Sequence, residues 1–238
     1  LALDDFPLKK TASNLCFAGG DATAQVMIIG DVPGRDEDIE GKVFAGQNLL
    51  LLERMLGAIG LSVAATSSFN FIPWRPPGNR TPTDAELQLC QPYILRAIAL
   101  CRPKFILCLG GHPAQRLSGK SDGLLSLRGK WFELAIGAKR IPVLPSFHPS
   151  YLLKQPGQKR VQHHQMQNAL HPLQRYGAPG QSPLRPSGLR PCLGRACARL
   201  APPELTCARQ LEYSKQLVQE LLPERRVRRL VQGLVRRV

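Results

Sequence analysis

The stretch Gln25-Val26-Met27-Ile28-Ile29-Gly30-Asp31-Val32-Pro33-Gly34-Arg35-Asp36-Glu37-Asp38 decides the fold. Apolar residues of strand type run from Val26 to Ile29, stop at Gly30, and give way to a turn with one carboxylate in first position and three more just beyond. A buried strand is therefore expected to end in an acidic, sharply bent loop. Three further apolar runs also end in polar or glycine-rich turns: Ser67 to Asn70, Phe105 to Gly110, and Pro142 to His148. Helical patterns separate the runs, so the expected architecture is a three-layer α/β/α sandwich with a central parallel sheet of about four strands. Open sheets of this kind bind ligands outside the carboxyl ends of their strands. That edge would collect Asp31, Asn70, Gly111 and His148.

Working outward, Gln47 to Gly60 carries enough apolar residues for a buried helix, with Gly60 placed to close it. Phe71 to Arg80 holds Pro73, Pro76 and Pro77 among basic residues and reads as a stiff loop, because proline lacks the amide donor that regular structure needs. Thr83 with Glu86 three residues on is a capping-box pattern, opening a helix that runs to about Cys101, before Pro103. Gly110-Gly111-His112-Pro113 leads into a short helix ending near Leu117. Leu127 to Leu134 reads as an exposed hairpin arm or edge segment.

At 238 residues and 43% apolar, the chain can bury one sizeable core. One domain is expected over 1–165, and a basic Pro/Arg-rich tail, largely disordered with a C-terminal helix, over 166–238. The formal charge of +15 points to an anionic partner. Most of the excess sits in the tail: residues 1–165 hold 19 Lys and Arg against 13 Asp and Glu, and 166–238 hold 13 against 4. The seven cysteines form no Cys-x-x-Cys pair, which speaks against a zinc ribbon and a disulfide framework. No apolar run reaches bilayer length, and Leu1 to Asp5 lacks the plan of a signal peptide. A cytoplasmic monomer without membrane contact is the expectation.

Gly30-Asp31-Val32-Pro33-Gly34, with the acidic triplet, Gly41 and Phe44-Ala45-Gly46 behind it, resembles the first motif of the family 4 uracil-DNA glycosylases. Asn70 followed by Trp74 to Pro82 resembles their second block, and Leu109-Gly110, Arg128-Gly129 and His148 to Lys154 complete the series in order. The resemblance covers about 8–160. It implies an enzyme of base excision repair that hydrolyses the N-glycosidic bond of uracil in DNA, with uracil-containing DNA and abasic-site product DNA as partners. The alternatives are a uracil- or abasic-site DNA-binding protein with weak turnover, and a glycosylase for another deaminated base.

Two departures stand out. Members usually carry four cysteines that ligate an iron–sulfur cluster, and of that set only Cys90 is present; no cysteine stands before Cys16, and Trp74 occupies the third position. One thiolate cannot hold a cluster that takes four, so a relative without cofactor or metal is expected, with Trp74 and its neighbours packing where the cluster would brace the loops. The second departure is Asp31, where the family usually has glutamate.

The chemistry implied requires the base to leave the helix, because the sugar carbon is inaccessible in a stacked duplex. Phe44 is expected to stack on the base, Asn70 to read its Watson–Crick edge, and Gly30 and Val32 to line the pocket. As the bond stretches, positive charge builds on the sugar and negative charge on the base. His148 is the expected donor to the leaving anion. Asp31 is the expected carboxylate beneath the sugar, with Glu37 second, while Asp36 and Asp38 read as solvated loop charges. His112, His163, His164 and His171 lack comparable context and read as structural. Leu152 or Leu153 is expected to wedge into the gap left by the base. Arg75, Arg80, Arg128, Lys154, Lys159 and Arg160 are the expected phosphate contacts.

Overall fold

The computed structural model describes residues 6–159. Arg160, His163, His164, His171 and the tail expected from 166 lie outside the described residues. A six-stranded sheet runs through the molecule in the order β1-β3-β2-β4-β6-β5. The strands are β1 (Ala18–Gly20), β2 (Val26–Gly30), β3 (Ser67–Asn70), β4 (Phe105–Leu109), β5 (Phe132–Ile136) and β6 (Lys139–Ser146). The helices are α1 (Arg35–Glu40), α2 (Gly46–Gly57), α3 (Asp84–Cys101), α4 (Gly111–Ser118), α5 (Leu124–Leu127) and α6 (Pro149–Lys154).

The four inner strands are parallel, as expected, with Ile28 beside both Ser68 and Leu107, and Leu107 beside Leu144. Two short antiparallel strands extend the sheet. β1 pairs with β3, and β5 folds back on β6 as the hairpin arm read around Leu127 to Leu134, whose first residue belongs to α5.

Side-chain alternation builds the three layers. Along β2, Met27 and Ile29 point into one apolar cluster with Ile94, Ala97 and Ile98 of α3, whereas Ile28 points into a second with Leu52 and Leu56 of α2 and Leu152 of α6. β4 divides in the same way, Ile106 and Cys108 to the first cluster and Leu107 and Leu109 to the second. Strands buried on both faces read as continuous apolar runs, which is why no polar alternation marks them in the sequence.

The capping box forms at α3: Thr83 Oγ1 accepts from the Glu86 amide at 3.3 Å, and the Thr83 amide donates to the Glu86 carboxylate at 2.7 Å. Arg80 closes a two-pronged pair on the same carboxylate, at 2.7 and 2.9 Å, and holds it down to about 2.

One local expectation fails. The acidic segment after Gly34 is helix α1, not a loop, and Asp38 is buried in it at 4% exposure. Its carboxylate accepts from the amides of Ser13 and Asn14 at 2.9 and 3.1 Å, so it ties the lead-in segment to α1. Backbone donors replace water there, which permits the burial. Asp36 is exposed, as expected. Among the described residues no helix is long and apolar enough to cross a membrane.

Candidate active site

Asn70 ends β3, beside Gly30 at the end of β2. It is 1% exposed, and its amide is fixed by two donations from Nδ2, to the Cys16 carbonyl at 2.9 Å and the Val43 carbonyl at 3.2 Å. Both amide hydrogens are used on main-chain acceptors. Oδ1 is buried with no partner. A lone buried acceptor costs about 1–3 kcal/mol of desolvation, so it marks a place where a donor belongs. Gly30 lets this acceptor approach the strand: a β-carbon at Gly30 would stand 2.6 Å from Asn70 Oδ1 and 3.2 Å from the Phe44 ring. Gly30, Phe44 and Asn70 thus meet at one point.

Phe44 extends this group to His148, with ring centroids 5.8 Å apart and planes inclined by 31°. His148 follows β6 and caps α6, where Pro149 occupies the first helical turn. Its Nδ1 accepts from the Ser150 amide at 3.2 Å and lies 2.7 Å from the Ser150 hydroxyl. A nitrogen that accepts from a main-chain N–H carries a lone pair, so the neutral ring bears its proton on Nε2. Burial favours that neutral form and lowers the imidazole's pKa, against the pull of Asp31 and Glu37. The site therefore contains a neutral imidazole whose Nε2 is a donor.

Asp31 leaves β2 and packs against Gly110, at the end of neighbouring β4. Its Oδ1 lies 2.5 Å from Nδ1 of His112 in the first turn of α4. His112, read from the sequence as structural, is thus the side-chain partner of Asp31. The available signal was its position: it follows Gly110-Gly111, at the same sheet edge as Asp31.

Glu37 sits differently. It is 2% exposed, and its carboxylate accepts from the amides of Gly34 at 3.0 Å and Ala45 at 3.3 Å and from the Asn48 side chain at 2.8 Å. These bonds join the start of α1 to the start of α2 and engage both carboxylate oxygens. Val32 is partly buried against the cluster on the α3 face of the sheet.

The expected DNA contacts divide. Leu152 is 1% exposed in the core with α2 and cannot wedge into DNA, whereas Leu153 beside it is 36% exposed. Arg75 donates to Asn79 and approaches Asp38, Arg80 is paired with Glu86, and Arg128 lies 4.3 Å over the Phe147 ring and donates to Gln158. These three arginines hold loops together. Lys154 and Lys159 are exposed.

Among the described residues, Cys16, Cys90 and Cys108 are free thiols. Cys90 is 2% exposed in the apolar cluster that also holds Trp74 and Phe6, whose rings stack at 5.1 Å. Burial, with a lesser push from Glu86, raises the Cys90 thiol to about 12. Iron–sulfur clusters need thiolates, and among the described residues no group of three or more His, Cys, Asp or Glu stands together to hold a metal. These residues do not fit such a cluster.

The family model described as "Uracil DNA glycosylase superfamily" matches residues 17–170. The chain is 35% identical over 153 residues to the type-4 uracil-DNA glycosylase of Archaeoglobus fulgidus, which covers 63% of this chain and 77% of the relative. It is 36% identical over 159 residues to the protein of the same name from Saccharolobus solfataricus, which covers 65% and 74%. The corresponding protein of Pyrobaculum aerophilum is 31% identical over 157 residues, covering 64% and 80%.

Proposed function

We propose, from the premise that this chain belongs to the uracil DNA glycosylase superfamily, that it is a monofunctional uracil-DNA glycosylase, cutting the bond between uracil and deoxyribose and leaving an abasic site. The observation that carries the reading is the pairing of an orphaned acceptor, Asn70 Oδ1, with a donor imidazole, His148, joined by the Phe44 ring.

Uracil extruded from the duplex presents a donor at N3 and acceptors at O2 and O4. Asn70 Oδ1 accepts from N3–H. Cytosine offers a lone pair at N3, which would face that acceptor across a dry contact, so the amide's fixed orientation rejects it. Phe44 supplies the stacking surface. As the C1′–N1 bond breaks, its electron pair passes to the uracil ring, and His148 Nε2–H donates to the pyrimidine oxygen that gathers the charge. Asp31 stabilises the sugar cation until water adds at C1′ and gives up its proton, which neutralises the uracil anion so that free uracil leaves. Glu37 is a positioning residue here, because its oxygens are engaged by Gly34, Ala45 and Asn48. Leu153, Lys154 and Lys159 line the DNA side.

The enzyme works without an iron–sulfur cluster. Trp74, at a position where the resemblance implies a cluster cysteine, packs on Phe6, and burial holds the Cys90 thiol of the same apolar cluster protonated. Purified protein is expected to be colourless and free of stoichiometric iron. A brown preparation with visible charge-transfer absorption would overturn this.

The experiment that tests the function is release of free base from a panel of labelled oligonucleotides carrying uracil, hypoxanthine or a thymine mispair. Uracil is expected to be released fastest, leaving an alkali-labile abasic site. Tight binding to abasic DNA with no release would assign a binding protein instead, and faster hypoxanthine release would reassign the substrate.

A further inference from the structure

We propose that His112 is a positioning residue for Asp31: it aims the carboxylate at the sugar and sets the charge that the carboxylate presents there. This rests on the glycosylase reading and adds to it a residue that acts through Asp31.

Three observations carry it. His112 Nδ1 meets Asp31 Oδ1 at 2.5 Å, joining the ends of β2 and β4. The remainder of the Asp31 side chain lies flat on Gly110, where a β-carbon would come within 2.5 Å of Oδ2 and 2.7 Å of the aspartate β-carbon. Gly110 also has φ +124, which suits glycine. The aspartate is thus held between a bare α-carbon and an imidazole. Third, the pair remains accessible, with 20% of the Asp31 side chain and 26% of the His112 side chain exposed, so a substrate can reach the couple. A short carboxylate gripped on two sides has little freedom to turn away, and a small misplacement of a catalytic group can cost about 100-fold in rate.

The charge follows from the geometry. With His112 neutral, the Nδ1–H donates to Asp31 and the couple carries one negative charge beside the sugar. With His112 protonated the couple is neutral, and its field at the developing cation falls. The hydrogen bond to Asp31 raises the His112 pKa above its ordinary value; burial opposes this, the Asp31 charge adds to it, and Arg116 one turn along α4 opposes it. Protonation therefore persists to higher pH than in a free imidazole. Uracil release should rise as pH increases through this raised value. His148, lowered by burial, titrates on the acid side of the ordinary imidazole value and does not produce this limb.

The test is single-turnover uracil release across the acid and neutral range by the wild-type chain, His112→Ala and His112→Asn. Asparagine can keep a donor near the Nδ1 position but cannot ionise. His112→Ala is expected to lose about 10- to 100-fold in rate with DNA affinity changed far less. His112→Asn should recover most of that rate and lose the limb. A His112→Ala chain with wild-type rate, or a His112→Asn chain that keeps the limb, overturns the inference. Should His112→Ala fail to fold, the His112→Asn profile decides alone. A wild-type chain that releases no uracil overturns the glycosylase reading itself; an active wild type with an indifferent His112→Ala overturns only this inference.

Discussion

His148→Ala is expected to slow uracil release by about 10²–10³-fold, the loss that follows removal of one preorganised donor to a developing anion. The size of the effect comes from the absence of reorganisation. Nδ1 is already committed to the Ser150 amide and hydroxyl, so Nε2 carries the proton before substrate arrives. Because the neutral ring is the donor, the rate should not fall as pH rises through the ordinary imidazole range. A protonated donor would predict the opposite sign. Single-turnover rates against pH distinguish the two, best measured in His112→Asn, where the other imidazole no longer titrates. Rates of His148→Ala within threefold of wild type would remove His148 from the mechanism.

Asn70→Ala is the second large effect. It removes the acceptor for N3–H and leaves the Cys16 and Val43 carbonyls without their shared donor. Each orphaned carbonyl costs about 1–3 kcal/mol, and removing the unpaired Oδ1 returns about one such cost, so stability should fall by a net of about 1–3 kcal/mol, read as a lower denaturant midpoint. Activity should fall further, by about 100-fold or more in kcat/KM, because a site built around a hydrogen bond loses its grip when one partner is absent. Assay well below the melting temperature separates the two losses. Normal kcat/KM in folded Asn70→Ala would show that another group reads the base edge.

Much of this was legible in the sequence because strand ends are local features. The strand-type runs ending at Gly30, Asn70, Gly110 and His148 indicate the sheet and the edge proposed for the site, and the four inner strands run parallel as that pattern requires. What stayed hidden depends on contacts between distant segments. His112 meets Asp31 only because β2 and β4 are neighbours in the sheet, 81 residues apart in sequence. Asp38 looked solvated because its amide partners, Ser13 and Asn14, come from a lead-in with no strong pattern. Leu152 and Leu153 are adjacent on a six-residue helix, so a turn of about 100° decides that the first is core and the second is surface. Likewise, no local rule shows that Arg128 is occupied by Phe147. Asn70 ends a strand as the sequence suggests, but only the structure shows that both its donors are already used, leaving a pure acceptor.

The most direct test of the central claim is a crystal structure of the chain with product DNA and free uracil. The ring should lie against Phe44, with N3 within hydrogen-bond distance of Asn70 Oδ1, a pyrimidine oxygen at His148 Nε2, and the abasic sugar beside Asp31. Uracil bound elsewhere, or a base edge that leaves Asn70 Oδ1 unpaired, would contradict it.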